Sequence, residues 1–158
     1  MYSTRIDLPG EVRTKVARLL NARLADALDL LAASKQAHWN VKGPHFIALH
    51  RLFDELHDKL EEHVDTIAER ITALGAIAHG TVQSAARASS LPPYPEDIHD
   101  GRQHLGALAE RLAAFGAKAR GAIGESDELG DADTADLFTQ TSRDIDKYLW
   151  FLEAHLTD

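Results

Sequence analysis

The chain has 158 residues, carries 25 acidic against 17 basic side chains for a formal net charge of −8, and contains no cysteine. That length predicts one domain over 1–158 with a core of its own. The missing cysteine excludes a disulfide framework and a thiolate metal site, and the negative charge opposes general attraction to nucleic acid.

The opening residues show no basic segment followed by an apolar run, and no apolar stretch is long enough to span a bilayer, so a soluble cytoplasmic protein with no membrane partner is expected. Ala, Leu, Glu, Arg and Asp dominate and β-branched runs are absent, which reads as all-α. A first helix is predicted from about Glu11 to Ala37, after Pro9-Gly10, with Val12, Val16, Leu20, Leu24, Leu28 and Leu31 at helical spacing. The segment His38 to Pro44 ends in the turn signal Gly43-Pro44. A second helix is predicted from about Phe46 to Leu74, closed by Gly75. The small, polar, proline-bearing stretch from Gly80 to Pro95 leaves room for a short helix over Gln83 to Arg87. A third long helix is predicted from near Pro95 to about Ile123, although Gly101, Gly106, Gly116 and Gly121 each cost roughly 1 kcal/mol relative to alanine in a helix interior. Glu125 to Asp133 reads as an acidic loop, and a last helix runs from about Thr134 to Leu156 with Asp133 as its N-cap. Four long helices with one long middle connection predict a ferritin-like four-helix bundle with a short helix in the connection between helices 2 and 3.

Bundle di-iron sites use two Glu-x-x-His pairs facing the core. Only Glu96-Asp97-Ile98-His99 matches here, so a site inside the bundle is not expected. The second helix offers another arrangement. At about 100° per residue, His50, Asp54, Asp65 and Glu69 fall within one stripe roughly 100° wide, opposite Leu49, Phe53, Leu56, Leu60, Ile67 and Ile71. Asp54 and Asp65 lie about 16 Å apart along the axis, too far to share a metal within one chain. An antiparallel two-fold copy would set His50 and Asp54 of one subunit against Asp65 and Glu69 of the other, making two sites per pair. His38 could add a nitrogen. Imidazole with carboxylate suits iron, manganese or zinc better than magnesium or calcium. The alternative is a solvated polar face, extended by His57, Asp58 and Glu61.

The run Lys35-Gln36-Ala37-His38-Trp39-Asn40-Val41-Lys42-Gly43-Pro44, then Phe46 to His50, then His63-Val64-Asp65-Thr66-Ile67-Ala68-Glu69-Arg70, resembles the Dps family, the mini-ferritins. Tyr94-Pro95 with Asp97-Ile98-His99, and Ser142 to Lys147 followed by Leu149 to Glu153, extend the resemblance to the C-terminal half. The resemblance implies a hollow homo-dodecamer whose ferroxidase centres lie between two-fold partners. One subunit would give His38, His50 and Asp54, the other Asp65 and Glu69. Ferrous iron would be oxidised, usually with hydrogen peroxide, and stored as ferric mineral; zinc or manganese are alternative occupants. Trp39 matches a tryptophan beside that centre, where it intercepts oxidising equivalents or packs an interface. Acidic residues of the matching region line a pore in the family, which makes Asp127, Glu128, Asp131, Asp133 and Asp136 pore candidates. A solvated loop that complements a helix N-terminus is the other reading. Tyr148 and Trp150 are expected to pack. DNA-compacting members often carry lysine-rich tails, and this chain shows none, so DNA and nucleoid association are left open by the resemblance and opposed by the charge.

Overall fold

The computed structural model describes residues 1–157. Five helices follow in order: α1 (Gly10–Asn40), α2 (Phe46–Ala73), α3 (Val82–Ala88), α4 (Gly101–Glu128) and α5 (Ala132–Ala154). The four long ones form a bundle, with α1 against α2 and α4 against α5, closed by contacts of α1 with α4 and α2 with α5. The segment between α2 and α4 runs the length of the bundle and lays α3 on α1. That long crossover makes α2 and α4 point the same way, which is the ferritin-like connectivity expected from the sequence.

Each helix buries the stripe its periodicity marks. Leu20, Leu24 and Leu30 of α1, Phe53, Leu56, Leu60, Ile67 and Ile71 of α2, Leu108, Leu112 and Phe115 of α4, and Phe138, Ile145 and Leu152 of α5 form one core. The sequence expectation for the third long helix needs correction at both ends. Asp100 caps α4 by accepting from the Arg102 and Gln103 amides, so the Pro95 approach is extended chain and the helix starts at Gly101. At the other end α4 runs on to Glu128, into the expected acidic loop, and stops at Gly130, whose φ of 80° suits glycine. Asp131, not Asp133, then caps α5. The interior glycine Gly116 has a packing reason: a β-carbon there would come within 3.3 Å of Ile145 on α5.

Three polar ties fix the crossover. Buried Asp26 accepts from the Ser90 amide and hydroxyl and from Arg23. Asp29 accepts from Ser89 and meets Arg111 of α4 at 2.7 Å. The Lys42 amide donates to the His99 carbonyl at 2.8 Å, which stitches the α1–α2 turn to the approach of α4. Gly101 sits against this stitch, where a β-carbon would lie 2.6 Å from Leu49 Cδ1.

The buried imidazole of His63 couples this packing to pH. Nδ1 lies 3.3 Å from the Thr141 hydroxyl, and Nε2 lies 3.1 Å from Asp144 but off the N–H axis. Burial pulls its pKa below the ordinary 6.5, and Asp144 only partly offsets that. The unfolded chain therefore takes up this proton first. The contribution to stability is complete above about pH 6.5 and is lost as pH falls toward the depressed folded value. A His63→Gln chain is expected to show a flatter acid limb in urea midpoint against pH. An unchanged limb would place the acid sensitivity elsewhere.

Candidate metal centre

The end of α1 and the start of α2 bring His38 and His50 face to face. Their rings stack with centroids 3.7 Å apart. His38 Nδ1 lies 2.8 Å from the His50 carbonyl oxygen, and His50 Nδ1 lies 2.9 Å from that of His38. A carbonyl oxygen only accepts, so both Nδ1 atoms carry the proton. Each neutral ring then keeps its lone pair on Nε2, the state a metal ligand needs. Sequence reasoning found both histidines but not this reciprocal lock, because it pairs side chain with main chain across the helix turn.

Asp54, one turn further along α2, is half-exposed with a carboxylate oxygen 3.7 Å from His38 Nδ1. Lys35 of α1 hydrogen-bonds the same oxygen and holds its pKa below the usual value. A cation arriving at Asp54 competes with that ammonium. Among the described residues of one chain, no three histidine or carboxylate side chains converge closely enough to hold a metal ion.

Asp65 and Glu69 lie on the second half of α2 and are exposed. Neither carboxylate forms an ion pair with a described residue, and they line the outer face near Glu61 and Glu62. The expected stripe is therefore real as a face that avoids the core, with one correction. Its first half borders α1 rather than open solvent: His57 turns inward, with Nδ1 3.2 Å from both the Ser34 hydroxyl and the Leu31 carbonyl. Trp39 is 70% exposed beside a groove of about 430 Å³ that Leu28, Leu31, Val82 and Ala86 also line. Trp150 is 63% exposed and touches only the edge of the bundle, with its ring 5.0 Å from that of Phe151, whereas Tyr148 is half-buried as expected.

The acidic candidates separate. Asp127 and Glu128 occupy the last turn of α4, with Asp133 and Asp136 in the first turns of α5, all exposed at one end of the bundle. Asp131 is 2% exposed, and its carboxylate is spent on Arg70 at 2.6 Å and on the Thr134 amide and hydroxyl. It is a cap and an ion-pair partner, not a group open to solvent.

A ferritin-like domain model matches residues 17–158. The "DNA protection during starvation protein" of Agrobacterium fabrum is 48% identical over 157 residues, covering 99% of this chain and 97% of that one. Among solved structures, Dps of Vibrio cholerae superposes with a TM-score of 0.92 at 28% identity, covering 99% and 98% of the two chains. That protein is described as a member of the ferritin-like diiron-carboxylate superfamily. DpsA14 of Streptomyces coelicolor reaches a TM-score of 0.94 at 34% identity over 99% of this chain and 92% of its own.

Proposed function

Since the chain belongs to the ferritin-like proteins, and within them to the Dps family, we propose that it is a ferroxidase and iron store, assembled as a closed homo-oligomeric shell of twelve subunits. The observation that carries this reading is the His38–His50 lock, which leaves a lone pair on each Nε2, with the Asp54 carboxylate 3.7 Å from the His38 ring. His38, His50 and Asp54 of one subunit, with Asp65 and Glu69 of a two-fold partner, would hold ferrous iron as substrate. The donor set fits: imidazole and carboxylate suit iron, and equally admit zinc or manganese as competitors.

The chain's residues then have distinct tasks. His38 and His50 fix position, because their rings cannot turn without breaking a hydrogen bond. The carboxylates lower the cost of the charge gained when iron becomes ferric. Two ferrous ions give one electron each to hydrogen peroxide, which is the oxidant we infer, and the ferric product passes to the interior. Asp127, Glu128, Asp133 and Asp136 would form the acidic mouth that draws cations inward, while Arg70 anchors it through Asp131. Trp39 would stand beside the centre. The purified protein should accelerate the rise of ferric absorbance after peroxide is added to ferrous iron. No acceleration over protein-free solution would sink the reading.

Protection of DNA would follow from removing both reactants of hydroxyl-radical chemistry rather than from contact. Twelve copies of a chain at −8 make a strongly anionic particle, and phosphate contacts need local basic clusters. The expected gel-shift result is no retardation at near-physiological salt. A shift there would reveal a basic surface assembled from separate helices.

A further inference from the structure

Tyr94 and His104 form a pair that the iron chemistry above does not use. Tyr94 lies in the crossover, and its hydroxyl is 2.5 Å from His104 Nδ1. The rings are stacked, with centroids 6.1 Å apart. His104, one turn into α4, is 1% exposed; its Nε2 makes no well-aligned hydrogen bond, and the Ile98 backbone is the polar group that interacts with the ring besides Tyr94. Burial pushes the phenol pKa far up and the imidazole pKa down, so at rest the proton sits on Tyr94 and His104 Nδ1 accepts it. On its other side His104 meets the ring of Phe53 edge-on at 6.4 Å. Phe53 is one turn of α2 from His50, on adjoining faces of the same helix. Two ring contacts thus link the phenol to α2, the helix that carries His50.

Packing alone would be served by two apolar side chains. A partly buried phenol with a buried base already at hydrogen-bond distance favours another event. Loss of one electron makes a phenol strongly acidic, and its proton can move along the existing hydrogen bond without creating a buried radical cation. The surrounding charges permit this. The Arg111 guanidinium over the Tyr94 ring, at 6.0 Å, is paired with Asp29. The Ile98 backbone, and after it Asp100, favour a protonated His104, while His99 opposes it.

We propose that Tyr94, with His104 as its proton acceptor, is a one-electron donor that completes the reduction of peroxide when only one ferrous ion occupies a centre. This rests on the ferroxidase reading. The single ferrous ion gives one electron and becomes ferric, and Tyr94 gives the second. The O–O bond breaks, and two protons from solvent complete two water molecules. The phenol proton passes to His104 Nδ1, leaving a neutral phenoxyl radical and an imidazolium. A later ferrous ion returns the electron, and His104 returns the proton.

The test is freeze-quench electron paramagnetic resonance on the assembled protein, with one ferrous ion per centre and excess hydrogen peroxide. Ferric absorbance is recorded on the same samples. A tyrosyl signal is expected that disappears in Tyr94→Phe and forms in lower yield in His104→Gln. The chain has three tyrosines, so the double variant Tyr2→Phe, Tyr148→Phe keeps Tyr94 alone without touching it. Ring-deuterated tyrosine should narrow its signal. Ferric iron without a radical, or with the radical on Trp39, Trp150 or Tyr148, overturns the inference and leaves the ferroxidase standing. No ferric iron in the parent protein overturns both.

Discussion

Asp65→Ala and Glu69→Ala chains are each expected to lose peroxide-dependent ferrous oxidation by at least about tenfold, the scale on which even outer partners of metal ligands act. Both carboxylates are exposed and form no ion pair with a described residue, so neither change should disturb the fold. The stronger result comes from mixing. Asp54 and Asp65 are about 16 Å apart along α2, so a centre using both must draw on two chains. Co-assembly of inactive His50→Ala with inactive Asp65→Ala should restore one centre in each mixed pair, because one chain still has His38, His50 and Asp54 and the other still has Asp65 and Glu69. Verified mixed shells with no recovery would rule out sharing across the two-fold.

The second large effect is on stability. Arg111 is 2% exposed, yet its guanidinium reaches Asp29 on α1, the Pro92 carbonyl and the Tyr94 ring in the crossover. The 2.7 Å contact with Asp29 is off the N–H axis, so it acts as charge against charge more than as a directed hydrogen bond. Removing one partner of a buried pair typically costs 3–5 kcal/mol. Asp29 can regain some water and Ser89 remains bonded to it, which places Arg111→Ala at about 3 kcal/mol. Arg120→Ala supplies the contrast. Its pair with Asp146 is half-exposed on both sides, and about 0.5 kcal/mol or less is expected. Denaturant unfolding should separate the two. Equal losses would mean that Arg111 only fills space.

The outer stripe of α2 was legible because a helix's periodicity is local: Leu49, Phe53, Leu56 and Leu60 declare the buried side, so His50, Asp54, Asp65 and Glu69 are left outside. The short helix over Gln83 to Arg87 was expected from the room left in the long connection, and is observed as Val82–Ala88, capped by Thr81. What failed was punctuation. Pro95 and Asp97 imitate a helix start, but Asp100 holds the cap. Charge made Glu125 to Glu128 look like loop, while the αL turn at Gly130 is what ends α4. The pairings Lys35–Asp54, Arg70–Asp131, Tyr94–His104 and Arg111–Asp29 were not legible. They depend on which helix faces which, and no spacing along one helix encodes that.

The reciprocal lock at His38 and His50 has a consequence for how such a site changes over generations. Each ring is aimed by its neighbour's main-chain carbonyl, which no substitution deletes. Replacing one histidine removes a stacking partner but leaves the surviving ring its acceptor. A lineage can therefore lose one imidazole and retain the other correctly aimed, so reversion needs a single codon and no repair of geometry. In a double-mutant cycle the two positions should behave as nearly independent, with coupling no larger than a stacked pair supplies.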